Sequence, residues 1–167
     1  MIELIPATST QFVDFLYGCY TTRSIQGDFQ RVKTIEQELF REKIRVQNNK
    51  GNHTFIVVKG DSPVGYAYSN KSPCFNHYEI GVTLVPEERH KGLGIITHRL
   101  LVKQALVQLH AKRLIAYVST RNIAERKVLE KLAFQCEGIM RQAGTTGDIV
   151  HDIAIYGALH YELEAGL

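Results

Sequence analysis

The sequence has few cysteines and no long apolar run. Its three cysteines, Cys19, Cys74 and Cys136, are widely spaced and form no CxxC pair or Cys/His cluster, so we expect neither a disulfide framework nor a metal site. No apolar run is long enough to span a membrane, and the N-terminal residues lack the basic and apolar regions of a signal peptide. These absences predict a cytoplasmic protein with no metal and no membrane partner.

The sequence also lacks any block of like charge. The formal net charge is only +3, and basic residues are scattered among acidic ones, which argues against nucleic acid as a partner. With 167 residues, 44% of them hydrophobic and 22% charged, the chain has the composition of a globular protein with a real core. No repeat or low-complexity linker divides it, so we expect one domain over residues 1–167. The sequence leaves homodimerisation open.

Hydrophobic spacing predicts strands and helices in a definite order. Strands are predicted at 2–7, on both sides of a turn at 60–63 within 53–70, and at 77–85, 113–119, 134–142 and 149–159. Helices are predicted at 9–20 with Ser9 or Thr10 as the cap, and at about 32–47, 92–110 and 122–133. This order predicts an α/β (α+β) fold, with helices flanking a single mixed, mostly antiparallel central sheet.

Residues 86–95, PEERHKGLGI, join a predicted strand to a long predicted helix. The first N–H groups of a helix lack intrahelical partners and the helix dipole is positive there, so a glycine-lined helix start suits phosphate. The alternative is a glycine turn that only packs the helix against the strand. A dinucleotide-binding GxGxxG would need glycine in place of Thr97, and no Walker A sequence is present. The pattern that remains is Arg89-x-x-Gly92-x-Gly94.

This pattern resembles the signature R/Q-x-x-G-x-G/A of the GNAT superfamily of acetyl-CoA-dependent N-acetyltransferases. The segments EIGVTLVPEERHKGLG, STRNIAERKVLEKLAFQCEGIMR and HDIAIYGAL occur in the family's order and spacing, and together they cover about residues 53–160. The second segment looks most like the branch that contains the ribosomal-protein serine and alanine N-acetyltransferases. The resemblance implies the GNAT fold, acetyl-CoA as cosubstrate, and acetyl transfer to a primary amine acceptor, either a peptide N-terminus or a small molecule.

The resemblance implies a coenzyme site along this connection. Backbone N–H groups of residues 89–94 would wrap the pyrophosphate, because glycine lets phosphate approach the main chain. The end of the preceding strand would pair with the pantetheine arm like an added strand. Asn122 would contact the coenzyme arm, but Asn122 followed by Glu125 also resembles a helix capping box, and many relatives have serine at the position of Glu125. The implied coenzyme-binding residues are Leu84, Val85, Arg89, His90, Lys91, Gly92, Leu93, Gly94, Ile95 and Asn122.

Two catalytic roles follow from the resemblance. Glu79 would take the proton of the attacking amine, directly or through water, although an exposed polar strand position is the alternative. The N–H near Leu84 would polarise the thioester carbonyl. Many superfamily members use a tyrosine as general acid where this chain has Leu129. Tyr117 and Tyr156 are the candidate substitutes, with core packing as the alternative.

Two functions stay open at this point, an N-acetyltransferase and a catalytically silent acyl-CoA-binding module. In the family the acceptor enters between two connections, which here are residues 21–31 and 143–148. They carry Arg23 and Arg31 against Asp28 and Asp148, so the sequence predicts no acidic funnel for a polycation. We therefore expect peptide N-termini or amino-acid-like amines to be preferred over spermidine. Among the histidines, His151 beside Asp152 is the one we single out for testing.

Overall fold

A seven-stranded sheet forms the centre of the structure, a computed structural model that describes residues 1–7, 12–27, 32–48 and 51–164. The strands are β1 Ile2–Pro6, β2 Asn52–Lys59, β3 Ser62–Lys71, β4 Tyr78–Leu84, β5 Arg113–Ser119, β6 Gln135–Thr146 and β7 Ile149–Leu159. The helices are α1 Val13–Thr21, α2 Arg23–Gln26, α3 Gln37–Asn48, α4 Leu93–Val107, α5 Ile123–Lys131 and α6 His160–Glu164, and a 3₁₀ turn covers Pro86–Glu88.

The sheet has the strand order β1-β2-β3-β4-β5-β7-β6. Neighbouring strands are antiparallel except β4 and β5, which are parallel and pair only at Tyr78 with Leu114 and at Glu79 with Ile115. Beyond these two pairs the strands continue without pairing to each other. We call the space between them the β4–β5 gap. It matters for function because it leaves backbone N–H and C=O groups in the middle of a sheet without strand partners.

Two hydrophobic clusters lie on opposite faces of the sheet. Helices α4 and α5 contribute Leu101 and Leu129 to the larger cluster, which contains Leu114 of β5. Helices α1 and α3 contribute Leu16 and Phe40 to the other cluster, together with residues of β2 and β3. Each helix therefore buries one apolar face, and this burial is the main source of stability for such layers.

The predicted fold class is confirmed, and several boundaries are corrected. The short helix α2 lies within residues 21–31, which the sequence predicted as an irregular polar connection. Helix α3 begins at Gln37 rather than near residue 32. Strand β6 continues to Thr146 across a bulge between Met140 and Gly144, so most of the connection predicted at 143–148 is strand. The predicted caps Ser9 and Thr10 lie outside the described residues.

Helices in the described ranges are all too short or too polar to cross a membrane. Nor does any group of three or more His, Cys, Asp or Glu side chains within those ranges have the arrangement to hold a metal ion.

Candidate active site

A cavity of about 730 Å³ opens where β4 ends and helices α4 and α5 begin. Its walls are formed by the end of β4, the connection to α4, the first turns of α4 and α5, and α2. From the predicted coenzyme site it contains Leu84, Arg89, His90, Gly92, Gly94, Ile95 and Asn122. A groove of about 610 Å³ along α3 contains none of the predicted site residues.

The connection into α4 has the backbone shape of an anion site. His90 (φ 61°) and Gly92 (φ 77°) are left-handed, which turns successive N–H groups toward one concave side. Gly92 is the N-cap of α4 and offers no side chain to the first-turn N–H groups, so these remain available to a ligand. A Cβ atom at Gly92 or Gly94 would meet no protein atom within 4 Å. Both glycines therefore face open space that a phosphate can occupy.

The charged side chains that line the cavity are mostly cationic. Among the described lining residues, one is acidic, Glu125, and four are permanently basic, namely Arg89, Arg121, Lys127 and Lys131. A concave site with this charge attracts a polyanion.

The side chain of Arg89 is engaged with the protein rather than aimed into the cavity. Its Nε donates to the carbonyl of Leu84 over 3.0 Å, and an Nη donates to the carbonyls of Ile25 (2.5 Å) and Ser24 (3.2 Å). The guanidinium thus links the end of β4 to α2. Lys91 is half exposed and pairs with Glu88 over 3.3 Å, outside the cavity lining. The two basic side chains in this segment therefore differ in role. Arg89 is structural, whereas Lys91 forms an ion pair with Glu88.

Helix α2 is held against the sheet by a buried amide. Nε2 of Gln26 donates to the carbonyl of Cys19 over 2.6 Å and to the hydroxyl of Tyr66 over 3.2 Å. Tyr66 also hydrogen-bonds with Thr83 of β4. Gln26 and Thr83 both line the cavity, so this chain of contacts defines the wall opposite α5.

Asn122 is the N-cap of α5, as the capping interpretation predicted. Its Oδ1 accepts the backbone N–H of Glu125 over 3.3 Å. The second half of a capping box is missing, because the N–H of Asn122 donates to the carbonyl of Ser119. The carboxylate of Glu125 instead faces His98 of α4, with 2.9 Å between Oε1 and Nε2. Asn122 lines the cavity as well, so it is placed both to cap α5 and to contact a ligand.

Glu79 lies at the narrow end of the β4–β5 gap. It occupies the last position at which β4 pairs with β5, and it is partly buried outside the cavity lining. The hydroxyl of Tyr68 donates to Oε1 of Glu79 over 3.1 Å. Burial raises the pKa of Glu79, and the hydrogen bond from Tyr68 partly offsets this by favouring the ionised form. A carboxylate of raised pKa in a gap is better suited to accept a proton than an exposed one.

The remaining predicted residues lie elsewhere. Leu93 is a core residue, and Val85 uses both backbone groups inside the protein, donating to Val64 and accepting from Glu88. Leu129, at the position of the family tyrosine, is fully buried in the core. Tyr117 is exposed on β5. None of these four residues belongs to the described lining of the cavity.

Tyr156 and His151 are also outside the cavity lining. The hydroxyl of Tyr156 donates to Glu130 over 2.7 Å and accepts from Arg126 over 3.1 Å, which explains a buried tyrosine without a catalytic role. His151 packs where a side chain on Gly144 would lie. Asp152 instead accepts the N–H of Gln142 over 2.8 Å. Because strand neighbours face opposite sides of a sheet, His151 and Asp152 do not form a pair.

Sequence reasoning missed Tyr68, Gln26 and His98. The strand register would have placed Tyr68 one step diagonally from Glu79, and the helical spacing of four would have placed His98 beneath Gly94. No local signal marks Gln26, because its side-chain partner, Tyr66, is distant in sequence.

These features together define an α/β fold with a cavity at a glycine-lined helix N-terminus that no side chain caps. Over residues 3–135 the sequence matches the Acetyltransferase (GNAT) domain, and the chain belongs to that family. No functionally curated protein matches the sequence at a significant level.

Solved structures of similar shape come from several N-acetyltransferases. RimL, a ribosomal alpha-N-protein acetyltransferase in complex with coenzyme A, matches with a TM-score of 0.81 at 19% identity, over 95% of this chain and 93% of that chain. The spermidine N-acetyltransferase from Vibrio cholerae, in complex with CoA and spermine, has a TM-score of 0.86 at 14% identity, over 98% of each chain. A ribosomal-protein-alanine N-acetyltransferase from Brucella melitensis has a TM-score of 0.79 at 18% identity, over 95% and 99%. At these sequence identities, the structural similarity shows that the proteins share a fold.

Proposed function

We propose that the chain transfers the acetyl group of acetyl-CoA to a primary amine by direct attack of the amine on the thioester. The observation that carries this proposal is the N-terminus of α4, where Gly92 and Gly94 face open space and no side chain caps the helix. Basic residues surround the same cavity, so the residues present fit a pyrophosphate. Acetyl-CoA supplies an activated acetyl group on a thiol with a pKa of about 8.5, which is a tolerable leaving group.

The proposed coenzyme site uses mainly backbone groups. Residues 90–95 present N–H groups to the pyrophosphate, since the N–H of Arg89 already donates to the carbonyl of Pro86, and Leu84 pairs with the pantetheine arm along the β4–β5 gap. Since the N–H of Val85 points to β3 and neighbouring strand residues alternate, the N–H of Leu84 points into the gap. This orientation supports its proposed role as donor to the thioester oxygen. We leave Val85 out of the set because its backbone groups are already paired.

Glu79 is the proposed general base. It lies at the narrow end of the gap, and burial raises its pKa, which makes the carboxylate a better proton acceptor than an exposed one. An α-amino group is about one-tenth neutral near pH 7, whereas a lysine-like amine is neutral only about 0.1% of the time. An α-amine therefore requires less help from the base. The acceptor we propose is a peptide N-terminus or an amino-acid-like amine.

A silent acyl-CoA-binding module is the second candidate function. The observation in its favour is that no tyrosine is found among the described residues that line the cavity, while the family position is occupied by the core residue Leu129. Our proposal instead assigns most of the catalysis to positioning and desolvation, which do not require a general acid.

The decisive experiment measures release of free thiol from acetyl-CoA in the presence of a panel of amines. We expect turnover with Ser- or Ala-initiated peptides. In the same assay Glu79→Gln should lower the rate most between the pKa of Glu79 and that of the amine, where the base is ionised and the amine still carries its proton, while coenzyme A binding measured by calorimetry is retained. Coenzyme binding by the wild-type protein without thiol release on any amine would favour the silent module. A uniform loss across pH in Glu79→Gln would mean that Glu79 positions the acceptor.

A further inference from the structure

His98 is a fully buried histidine directly beneath the proposed phosphate site. Its Nδ1 lies 2.9 Å from the carbonyl oxygen of Gly94, one helical turn earlier in α4. Its Nε2 lies 2.9 Å from Oε1 of Glu125 on α5, within ion-pair distance although no group meets hydrogen-bond geometry at that nitrogen. Both ring nitrogens therefore face acceptor oxygens. Only the imidazolium form carries a proton on each nitrogen, so this environment favours a charged His98.

Glu125 places a negative charge among the basic residues that line the cavity. It is the one acidic residue among the described residues that line the cavity, and its side chain is 23% exposed. An unpaired carboxylate there would repel the phosphates that the surrounding basic residues attract. Its pairing with His98 removes that repulsion and fixes the first turn of α5 against the first turns of α4.

We propose that His98 is a positioning residue for coenzyme binding, whose imidazolium holds the Glu125 carboxylate and cancels its charge beside the phosphate site. This inference rests on the proposed coenzyme site. His98 does not touch the ligand in this account. It acts through Glu125, and it makes coenzyme affinity depend on pH.

The groups that surround His98 determine the direction of this dependence. On α4 its contact is the Gly94 carbonyl, and on α5 its charged contact is Glu125. Strands β1, β3 and β4, on which α4 packs, contribute aliphatic residues and Tyr78 to the shared cluster. Their acidic residues Glu3 and Glu79 belong to the other face, since Glu3 pairs with Val58 and Glu79 contacts Tyr68.

Burial lowers the pKa of His98, but the negative charge of Glu125 and the hydrogen bond with the Gly94 carbonyl outweigh it, so the pKa is raised above its ordinary value. The imidazolium consequently persists to a higher pH than that of an ordinary histidine. It is lost as the pH rises through the raised pKa, which leaves Glu125 unpaired. Coenzyme affinity should therefore fall with rising pH.

The test is isothermal titration of dephospho-coenzyme A from about pH 6 to about pH 8.5. This probe lacks the 3′-phosphate monoester, which would itself titrate near pH 6. The variants are His98→Gln, Glu125→Gln and the double variant. We expect wild-type affinity to fall across this range, His98→Gln to bind roughly tenfold more weakly near pH 7, and Glu125→Gln to lose the pH dependence. The double variant should recover most of the affinity that His98→Gln loses.

The outcomes separate this inference from the proposed function. Absence of binding by the wild-type protein would overturn both. Wild-type binding combined with a double variant as weak as His98→Gln would overturn the inference alone, because His98 would then act only by packing. Should the His98 variants fail to fold, the proposal is tested by comparing how affinity depends on pH in the wild type and in Glu125→Gln. An equal pH dependence in these two proteins would contradict the proposal.

Discussion

The hydroxyl of Tyr68 donates a hydrogen bond to Oε1 of Glu79 over 3.1 Å, across the adjacent strands β3 and β4. Gly81 permits this contact, because a Cβ atom there would approach the Tyr68 ring to 2.6 Å. The bond favours the ionised carboxylate, while burial favours the protonated one. Tyr68 therefore limits how far the pKa of the proposed base rises.

We predict that Tyr68→Phe moves the acid limb of the kcat/KM profile to higher pH. Loss of the hydroxyl removes the contact that lowers the pKa of Glu79, so a higher pH is needed to ionise the base. The rate on the high-pH plateau should change little. The measurement is kcat/KM against pH with one amine, and Tyr156→Phe is the matched control, since its hydroxyl bonds Glu130 and Arg126 outside the cavity lining. An acid limb unchanged in Tyr68→Phe would mean that Tyr68 does not influence the pKa of the base.

Gly94→Val should abolish the thermal stabilisation of the protein by coenzyme A. At a ligand concentration of about 100 Kd the wild-type protein should gain about 2.7 kcal/mol, which corresponds to a rise in Tm of roughly 5–10 °C. The valine side chain would occupy the open space in which we place the phosphate. Because Gly94 is not left-handed, the variant should fold.

The matched control for Gly94→Val is Gly18→Ala, a helical glycine of α1 whose Cβ would also meet no atom within 4 Å. It lies outside the cavity lining, so its coenzyme-dependent shift should equal that of the wild type. An undiminished shift in Gly94→Val would place the coenzyme elsewhere on the protein.

The parts of the structure that sequence predicted are those with a local physical signal. The apolar, β-branched run RLIAYVS predicted β5 at its observed bounds, 113–119, and the glycine pattern predicted the connection into α4. Helix α2 has only four residues, too few for helical periodicity. The contacts that hold it to the sheet, from Arg89 to Ile25 and from Gln26 to Tyr66, join residues far apart in the chain. The role of Arg89 could not be predicted for the same reason, since its carbonyl partners depend on the tertiary fold.

Arg89→Ala should lower the free energy of unfolding by about 1–3 kcal/mol, because it leaves the carbonyls of Ile25, Ser24 and Leu84 without their donor. Chemical denaturation measures this loss. Lys91→Ala is the control and should cost less than about 1 kcal/mol, since Lys91 is exposed and its partner Glu88 keeps an ion pair with Lys59. Unchanged stability in Arg89→Ala together with weaker coenzyme binding would instead mean that the guanidinium contacts phosphate.

Variants of Asn122 separate its capping role from its proposed coenzyme contact. Asn122→Ser should retain the cap of α5, because serine caps about as well as asparagine, whereas Asn122→Ala should lose about 1 kcal/mol of stability. Serine lacks the amide donor, so we expect Asn122→Ser to bind coenzyme A more weakly at nearly wild-type stability. Stability comes from denaturation and affinity from calorimetry. Full affinity in Asn122→Ser would limit Asn122 to capping.

The last prediction concerns the acceptor. Within the described part of the region around α2, residues 22–27 carry Arg23 and no acid, and Asp148 is the acidic residue at the tip of the β6–β7 hairpin. A polyamine gains most of its affinity from acidic clusters, which this surface does not supply. An α-amine is also neutral far more often than an alkyl ammonium near pH 7. We therefore expect kcat/KM for a Ser- or Ala-initiated peptide to exceed that for spermidine by at least about tenfold.

The competition assay includes the same peptide with an acetylated N-terminus, which should be inert if the α-amine is the acceptor. Comparable rates for the blocked peptide would indicate acetylation of a side chain, and a spermidine kcat/KM well above that of the free peptide would overturn the proposed acceptor class.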